Sequence, residues 1–123
     1  MTEQLRLIVV DDDELQLELM ERSLSRDGFE VGRAASAGAL MTEAKRLAPA
    51  VILMDVNMPD EPADRMIAIA REAAPNARVF LYSAWEPSRL RALASQLGAD
   101  GFISKSESVT MIGARIRELF FRR

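Results

Sequence analysis

Three short stretches of this chain are almost unbroken apolar sequence, and each runs into a polar residue at its carboxyl end. Leu5-Arg6-Leu7-Ile8-Val9-Val10 meets Asp11, Ala50-Val51-Ile52-Leu53-Met54 meets Asp55, and Arg78-Val79-Phe80-Leu81-Tyr82 meets Ser83. Runs of this length, with no alternation of polar residues, suit strands covered on both faces, as in a parallel sheet. Two shorter and more polar segments, Phe29-Glu30-Val31-Gly32-Arg33-Ala34 and Gly101-Phe102-Ile103-Ser104, suit strands at or near the sheet edges.

Helical periods fill the intervals. Leu17, Met20 and Leu24 recur at helical spacing, with Asp27-Gly28 as the stop. Leu40, Ala44 and Leu47 form a second stripe behind Ser36, a candidate N-cap, and Pro49 closes it. A third helix opens at Pro62, carries Met66, Ile69, Ala70 and Ala73, and stops before Pro75-Asn76. A fourth follows Pro87 with Leu90, Leu93, Ala94 and Leu97 inward and Gly98 as its C-cap. Ile112, Ile116, Leu119 and Phe120 mark a fifth.

Five β-α units in 123 residues predict one α/β domain over residues 1–123. Right-handed crossovers place helices on both faces of the sheet. The expected arrangement is flavodoxin-like, (βα)5, with strand order 2-1-3-4-5. In that order the first and third strands adjoin at the switch point, where ligands bind beside the strand carboxyl ends.

Composition narrows the chemistry. The chain has no cysteine and no histidine, so thiolate catalysis, a disulfide frame and a Ser-His-Asp triad are excluded. Sixteen basic against nineteen acidic residues give a net charge of −3, which argues against nucleic acid as the direct partner. The first ten residues are too short and polar for a signal peptide, with Glu3, Gln4 and Arg6 among them. No apolar run approaches the roughly 20 residues that cross a bilayer, so a cytoplasmic chain without membrane contact is expected.

The predicted topology brings Asp11, Asp12 and Asp55 into one crevice. Two carboxylates about 5 Å apart repel by roughly 3 kcal/mol at an effective dielectric of 20. A cation relieves this, and an all-oxygen, water-open site suits Mg²⁺, with Mn²⁺ a second choice. Loop formation and helix capping also account for Asp11, Asp12 and Asp13, and Asp13 suits the cap. They do not account for Asp55. Ser83 and Lys105 fall at the same predicted edge, although each alone also reads as a strand-end hydroxyl or a solvated lysine. Together with a cation they suit a phosphoryl group, whose oxygens they would meet.

In order along the chain stand Val9-Val10-Asp11-Asp12-Asp13, Met54-Asp55-Val56-Asn57-Met58-Pro59, Ser83-Ala84 and Gly98-Ala99-Asp100-Gly101-Phe102-Ile103-Ser104-Lys105. This set, across nearly the whole length, resembles a response-regulator receiver domain of two-component signalling. The resemblance implies that Asp55 is the phosphoacceptor and that Asp11, Asp12, Asp55 and the backbone carbonyl of Asn57 hold Mg²⁺. It implies that Ser83 and Lys105 bind phosphoryl oxygens, and that Phe102 is the aromatic that moves with Ser83 in the switch. Buried Phe102 serving only as core is the competing reading.

The implied phosphodonor is a phosphohistidine on a sensor histidine kinase or histidine phosphotransfer protein, and the output is a downstream protein target. The domain would catalyse its own phosphorylation and slow dephosphorylation. A phosphorylation-independent receiver-like adaptor is the alternative, and the intact acids, Ser83 and Lys105 argue against it. An aspartate-nucleophile phosphohydrolase would want an acid two residues past Asp55, where Asn57 stands. Oligomeric state is left open, a homodimer included.

Some positions depart from the family pattern. Asp60-Glu61-Pro62-Ala63 stands where a glycine is usual, which predicts a stiffer loop. Ser106 follows Lys105 where proline is common, so a trans bond is expected there. Trp85, the sole tryptophan, falls two residues after Ser83, either as a hydrophobic cover or as a shield over the phosphoryl group. Arg89, Arg91, Arg115, Arg117, Arg122 and Arg123 on the last two helices read as a solvated face or as a surface for an acidic partner.

Overall fold

A computed structural model describes residues 4–122. Residues 1–3, which include the Glu3 invoked against a signal peptide, and Arg123 of the basic group lie outside the described residues. The strands are β1 (Arg6–Val10), β2 (Glu30–Ala34), β3 (Val51–Asp55), β4 (Arg78–Ser83) and β5 (Gly101–Ser104). Between and after them come α1 (Glu14–Arg26), α2 (Ala37–Leu47), α3 (Ala63–Ala73), α4 (Pro87–Leu97) and α5 (Val109–Phe121).

All strand pairs are parallel, and the sheet order is β2-β1-β3-β4-β5. The three apolar runs occupy the centre and the two polar strands the edges, as their patterns require. Alternate residues of the central strands feed two cores. Ile8, Val10, Ile52, Met54, Val79 and Leu81 pack under α2, α3 and α4. Leu7, Val9, Val51, Leu53, Phe80 and Tyr82 pack under α1 and α5. Every residue of β3 is buried, because both its faces carry a helical layer. Truncating fully buried Leu53 to alanine would cost about 2–5 kcal/mol.

The local signals act as the residue types dictate. The Asp13 carboxylate accepts from the N–H groups of Leu15 and Gln16 and caps α1. Ser36 caps α2 through the Ala39 N–H. Pro62 is the N-cap of α3, one position ahead of the helix. Pro87 is the first residue of α4, where its missing N–H is harmless. Gly98 ends α4 at φ +71°, a left-handed conformation that glycine adopts without a Cβ penalty. On α3 the buried set is Met66, Ile67 and Ala70, so Ile67 joins the core and Ile69 is only half-buried. The Lys105–Ser106 bond is trans. No helix of the described residues is long and apolar enough to cross a membrane.

Candidate functional site

The register aligns the carboxyl ends of β1, β3 and β4. Val10 pairs with Met54, and Asp55 with Tyr82, so the next residues Asp11 and Ser83 flank the end of β3. A hydrogen bond from the Asp11 N–H to the Ala34 carbonyl (3.1 Å) extends the sheet and fixes where Asp11 leaves it. Carboxylate oxygens of Asp11, Asp12 and Asp55 come within 4.8 Å of one another. Asp11 and Asp55 are buried and Asp12 is exposed, so the cluster has a protein-lined floor and a wet rim.

Lys105 closes the opposite side. Its Nζ is 3.3 Å from Asp11 Oδ2 and 3.4 Å from Asp55 Oδ2. The Lys105 N–H donates to the Ser83 carbonyl (2.7 Å), which extends the β4–β5 ladder past Ser104 and delivers the lysine to the crevice. Its ammonium also sits 5.1 Å from the Tyr82 ring centroid. The Asp11 carboxyl is held above its ordinary range, chiefly by burial and in part by the neighbouring Asp55 charge. A hydrogen bond from the Asp13 N–H and the Lys105 charge oppose this without cancelling it.

The loops after the strands complete the edge. The Asn57 N–H donates to Asp55 Oδ1 (3.1 Å), curling the chain after β3 back over its own carboxylate. Ser83 is buried, and its hydroxyl accepts from the Trp85 N–H (3.1 Å). Trp85 is half-buried against the α2–α3–α4 core, and the Arg89 guanidinium lies 3.7 Å from its ring centroid. Phe102 is half-buried and packs on the same core, with Arg91 5.7 Å above its ring.

Asp11, Asp12, Asp55, Asn57, Ser83 and Lys105 thus meet at one sheet edge. Phe102 lies on β5, two residues before the end of the strand that brings Lys105 there.

Three partners were not legible in the sequence. Asp60 accepts from the Ala37 N–H at the start of α2 (3.1 Å), tying the β3–α3 loop to a helix 23 residues earlier. The Tyr82 hydroxyl accepts from Gln16 Nε2 (3.3 Å) and contacts Met20 Sδ (3.6 Å), and burial pushes the phenol's pKa up. Asp100 accepts from the Val79 N–H (2.8 Å) and pairs with Arg71 (3.1 Å). Each is a long-range contact, and no local pattern announces it.

The arginines do not form one face. Arg117 turns to α1, where it donates to the Asp27 carbonyl (2.5 Å) and stacks 4.2 Å from the Phe29 ring centroid. Arg89 stays with Trp85. Arg91, Arg115 and Arg122 gather at β5 and are joined there by Arg78 from β4.

Known proteins resemble this chain in sequence and in fold. The family model for the response regulator receiver domain matches residues 7–117. The transcriptional regulatory protein PrrA of Mycobacterium leprae is 30% identical over 118 residues, covering 96% of this chain and 51% of PrrA. Response regulator PleD of Caulobacter vibrioides is 31% identical over 126 residues, covering 93% of this chain and 26% of PleD. The signal receiver domain of NarL from Mycobacterium tuberculosis has a TM-score of 0.82 at 30% identity, over 99% of this chain and 100% of that one. Chemotaxis response regulator CheY4 of Vibrio cholerae shares the fold, with a TM-score of 0.83 at 18% identity over 95% of this chain and 99% of CheY4. The chain spans about half the length of PrrA and about a quarter of PleD. On sequence and on fold, the chain belongs to the response regulator receiver domains, the modules that accept a phosphoryl group on aspartate in two-component signalling.

Proposed function

We propose that Asp55 is the phosphoacceptor of this receiver domain, served by Asp11, Asp12, Asn57, Ser83 and Lys105. The observation that carries the reading is the Lys105 ammonium set between Asp11 and Asp55 at the mouth of a three-carboxylate cluster. The donor set fits a hard divalent ion, being all oxygen, strongly anionic and open to water through Asp12. Asp11, Asp12, Asp55 and the Asn57 carbonyl would hold Mg²⁺, or Mn²⁺ in its place. When bound, the ion supplies charge neutralisation between the nucleophile and the incoming phosphoryl group.

The residues of the chain do the rest. An Asp55 oxygen attacks the phosphorus of a phosphohistidine on a kinase or phosphotransfer protein. The new bond is P–O; the P–N bond breaks, and its electron pair leaves with the imidazole, which ends protonated. With no histidine of its own, the chain depends on a partner for that donor. Lys105 and Ser83 meet the equatorial oxygens, and the Ser83 hydroxyl gives up the Trp85 N–H to do so. Phe102, half-buried beyond Ser83, takes the space that this movement leaves. Attack of water on the acyl phosphate resets Asp55. A cytoplasmic location, an upstream kinase and a downstream protein target accompany this reading.

The test is intact-mass spectrometry after incubation with Mg²⁺ and acetyl phosphate or phosphoramidate. One phosphoryl group per chain, absent in Asp55→Asn, is expected. No mass change under those conditions would favour an adaptor that works without phosphorylation. Rapid multiple turnover would favour a phosphohydrolase.

A further inference from the structure

Tyr82 ends the apolar run of β4 and is 2% exposed, joining Leu53, Phe80 and Ile103 in the core under α1 and α5. Phe80, two residues earlier on the same face, fills that core without a hydroxyl. The phenol at position 82 brings a polar atom into an apolar layer, where such a group needs partners. Helix α1 supplies them. Half-buried Gln16 donates from Nε2 to the Tyr82 hydroxyl (3.3 Å), which meets Met20 Sδ (3.6 Å) one turn further along the helix. The residue is thus held at its backbone, by pairing with Asp55 and Ile103, and at its hydroxyl tip.

The centre of this fixed ring lies 5.1 Å from Lys105 Nζ, within reach of a cation–π attraction. Lys105 carries its charge on a long flexible stem, and its side chain is 24% exposed. The strand that delivers it therefore does not by itself fix where the ammonium stands. Asp11 and Asp55 draw it from one direction, at 3.3 and 3.4 Å. A further carboxylate in place of the ring would compete with phosphoryl oxygens for the N–H groups of the ammonium. A ring face attracts the charge and leaves those donors free. Such an attraction also persists while Lys105 shifts from the acids to a phosphoryl oxygen.

We infer that Tyr82 is a positioning residue for Lys105. Its ring, braced by Gln16, keeps the ammonium beside the Asp11–Asp55 pair and ready for a phosphoryl oxygen. The effect on phosphorylation rests on the roles proposed above for Asp55 and Lys105; the contact itself does not.

The chain has two lysines, Lys105 and the exposed Lys45 of α2, so ¹³C-labelled lysine gives an NMR spectrum of two side chains. In the metal-free parent, the ring current of Tyr82 should displace the Lys105 ε-methylene signal from that of Lys45. The displacement should persist in Tyr82→Phe and collapse in Tyr82→Leu. Intact-mass kinetics with Mg²⁺ and phosphoramidate read the consequence. Tyr82→Leu should be phosphorylated about three- to tenfold more slowly than the parent, and Tyr82→Phe should stay within about twofold of it. In a Lys105→Ala background the leucine substitution should cost nothing further, whereas a ring that serves packing alone costs the same in both backgrounds. Circular dichroism checks each fold, and Tyr82→Met, which also lacks a π face, serves if the leucine variant unfolds. An undisplaced Lys105 signal in the parent would overturn the inference. So would a parental rate in Tyr82→Leu, an equal loss in Tyr82→Phe, or an undiminished loss in the Lys105→Ala background. If the parent gains no phosphoryl group, the assignment of Asp55 fails, while the displaced signal still reads the Tyr82–Lys105 contact on its own.

Discussion

Lys105 Nζ stands 3.4 Å from Asp55 Oδ2 and 3.3 Å from Asp11 Oδ2, one ammonium bridging two buried carboxylates from different strands. Removing it leaves both acids and Asp12 facing one another, with desolvation already paid for. Lys105→Ala should destabilise the metal-free protein by about 1–3 kcal/mol, less than a fully buried pair because the lysine is a quarter exposed. Urea denaturation with and without Mg²⁺ measures this, and added Mg²⁺ should recover part of the loss. In the phosphorylation assay the same variant should react more slowly than the parent.

Asp11 predicts the opposite sign. Its carboxyl is held above the ordinary value of 3.8, chiefly by burial, so the folded state grips that proton more tightly than the unfolded chain. An acid raised in this way destabilises the fold increasingly as the pH climbs above 3.8, and the penalty is complete above its folded value. The penalty fades as the pH falls back toward 3.8. Asp11→Asn keeps an oxygen for the Asp13 N–H and removes the charge. It should raise the melting temperature of the metal-free protein at neutral pH. The gain should shrink toward pH about 4. Mg²⁺ should stabilise the parent and not the variant.

Asp60 separates loop geometry from metal chemistry. Its carboxylate meets the Ala37 N–H at the positive end of α2 and, with the Glu61–Arg65 pair (3.7 Å), pins the loop after Asn57. Loss of such a cap costs about 0.5–2 kcal/mol. Asp60→Ala should lower stability by that order in urea titrations, with Asp60→Asn losing less. Because the loop carries Asn57, Mg²⁺ affinity followed by Trp85 fluorescence should fall in the alanine variant as well.

The sequence carried the fold and the acids for one reason: a strand buried on both faces must be apolar along its length, so the polar residue that ends it stands out. Asp11, Asp55 and Ser83 were legible in that way, and five strands at regular intervals left few topologies. Asp13, Ser36 and Gly98 were legible because caps act over three or four residues. What stayed hidden is contact between distant segments. Nothing in the sequence around Asp60 names Ala37, and nothing around Arg117 tells that it leaves α4 and β5 for the Asp27 carbonyl and the Phe29 ring. The six arginines read as one basic group because helix number alone does not say which face a side chain leaves.

Gly113 on α5 tests the packing that holds α1 in place. A Cβ at this position would overlap the Asp27 carboxylate and lie 3.1 Å from Asp27 Cβ. Alanine is the better helix former by about 0.8–1.0 kcal/mol, but overpacking typically costs about 1–3 kcal/mol, so a net loss is expected. Gly113→Ala should lower the urea midpoint, and Asp27→Ala in the same chain should restore part of it. A double-mutant cycle reads that coupling directly.

Trp85 bears on the lifetime of the phosphorylated state. Its ring lies two residues past Ser83, half-buried on the α2–α3–α4 core, with Arg89 stacked 3.7 Å from the ring centroid. A bulky ring there restricts the approach of water to phosphorus on Asp55, while Ala84 between them is too small to do so. Trp85→Ala should shorten the acyl-phosphate lifetime severalfold, measured by the decay of the phosphorylated mass after the donor is removed. Arg89→Ala frees the ring without deleting it and should give an intermediate lifetime. The two lifetimes together separate the shielding role from that of a hydrophobic cover for α4, which predicts lower stability in Trp85→Ala with an unchanged decay.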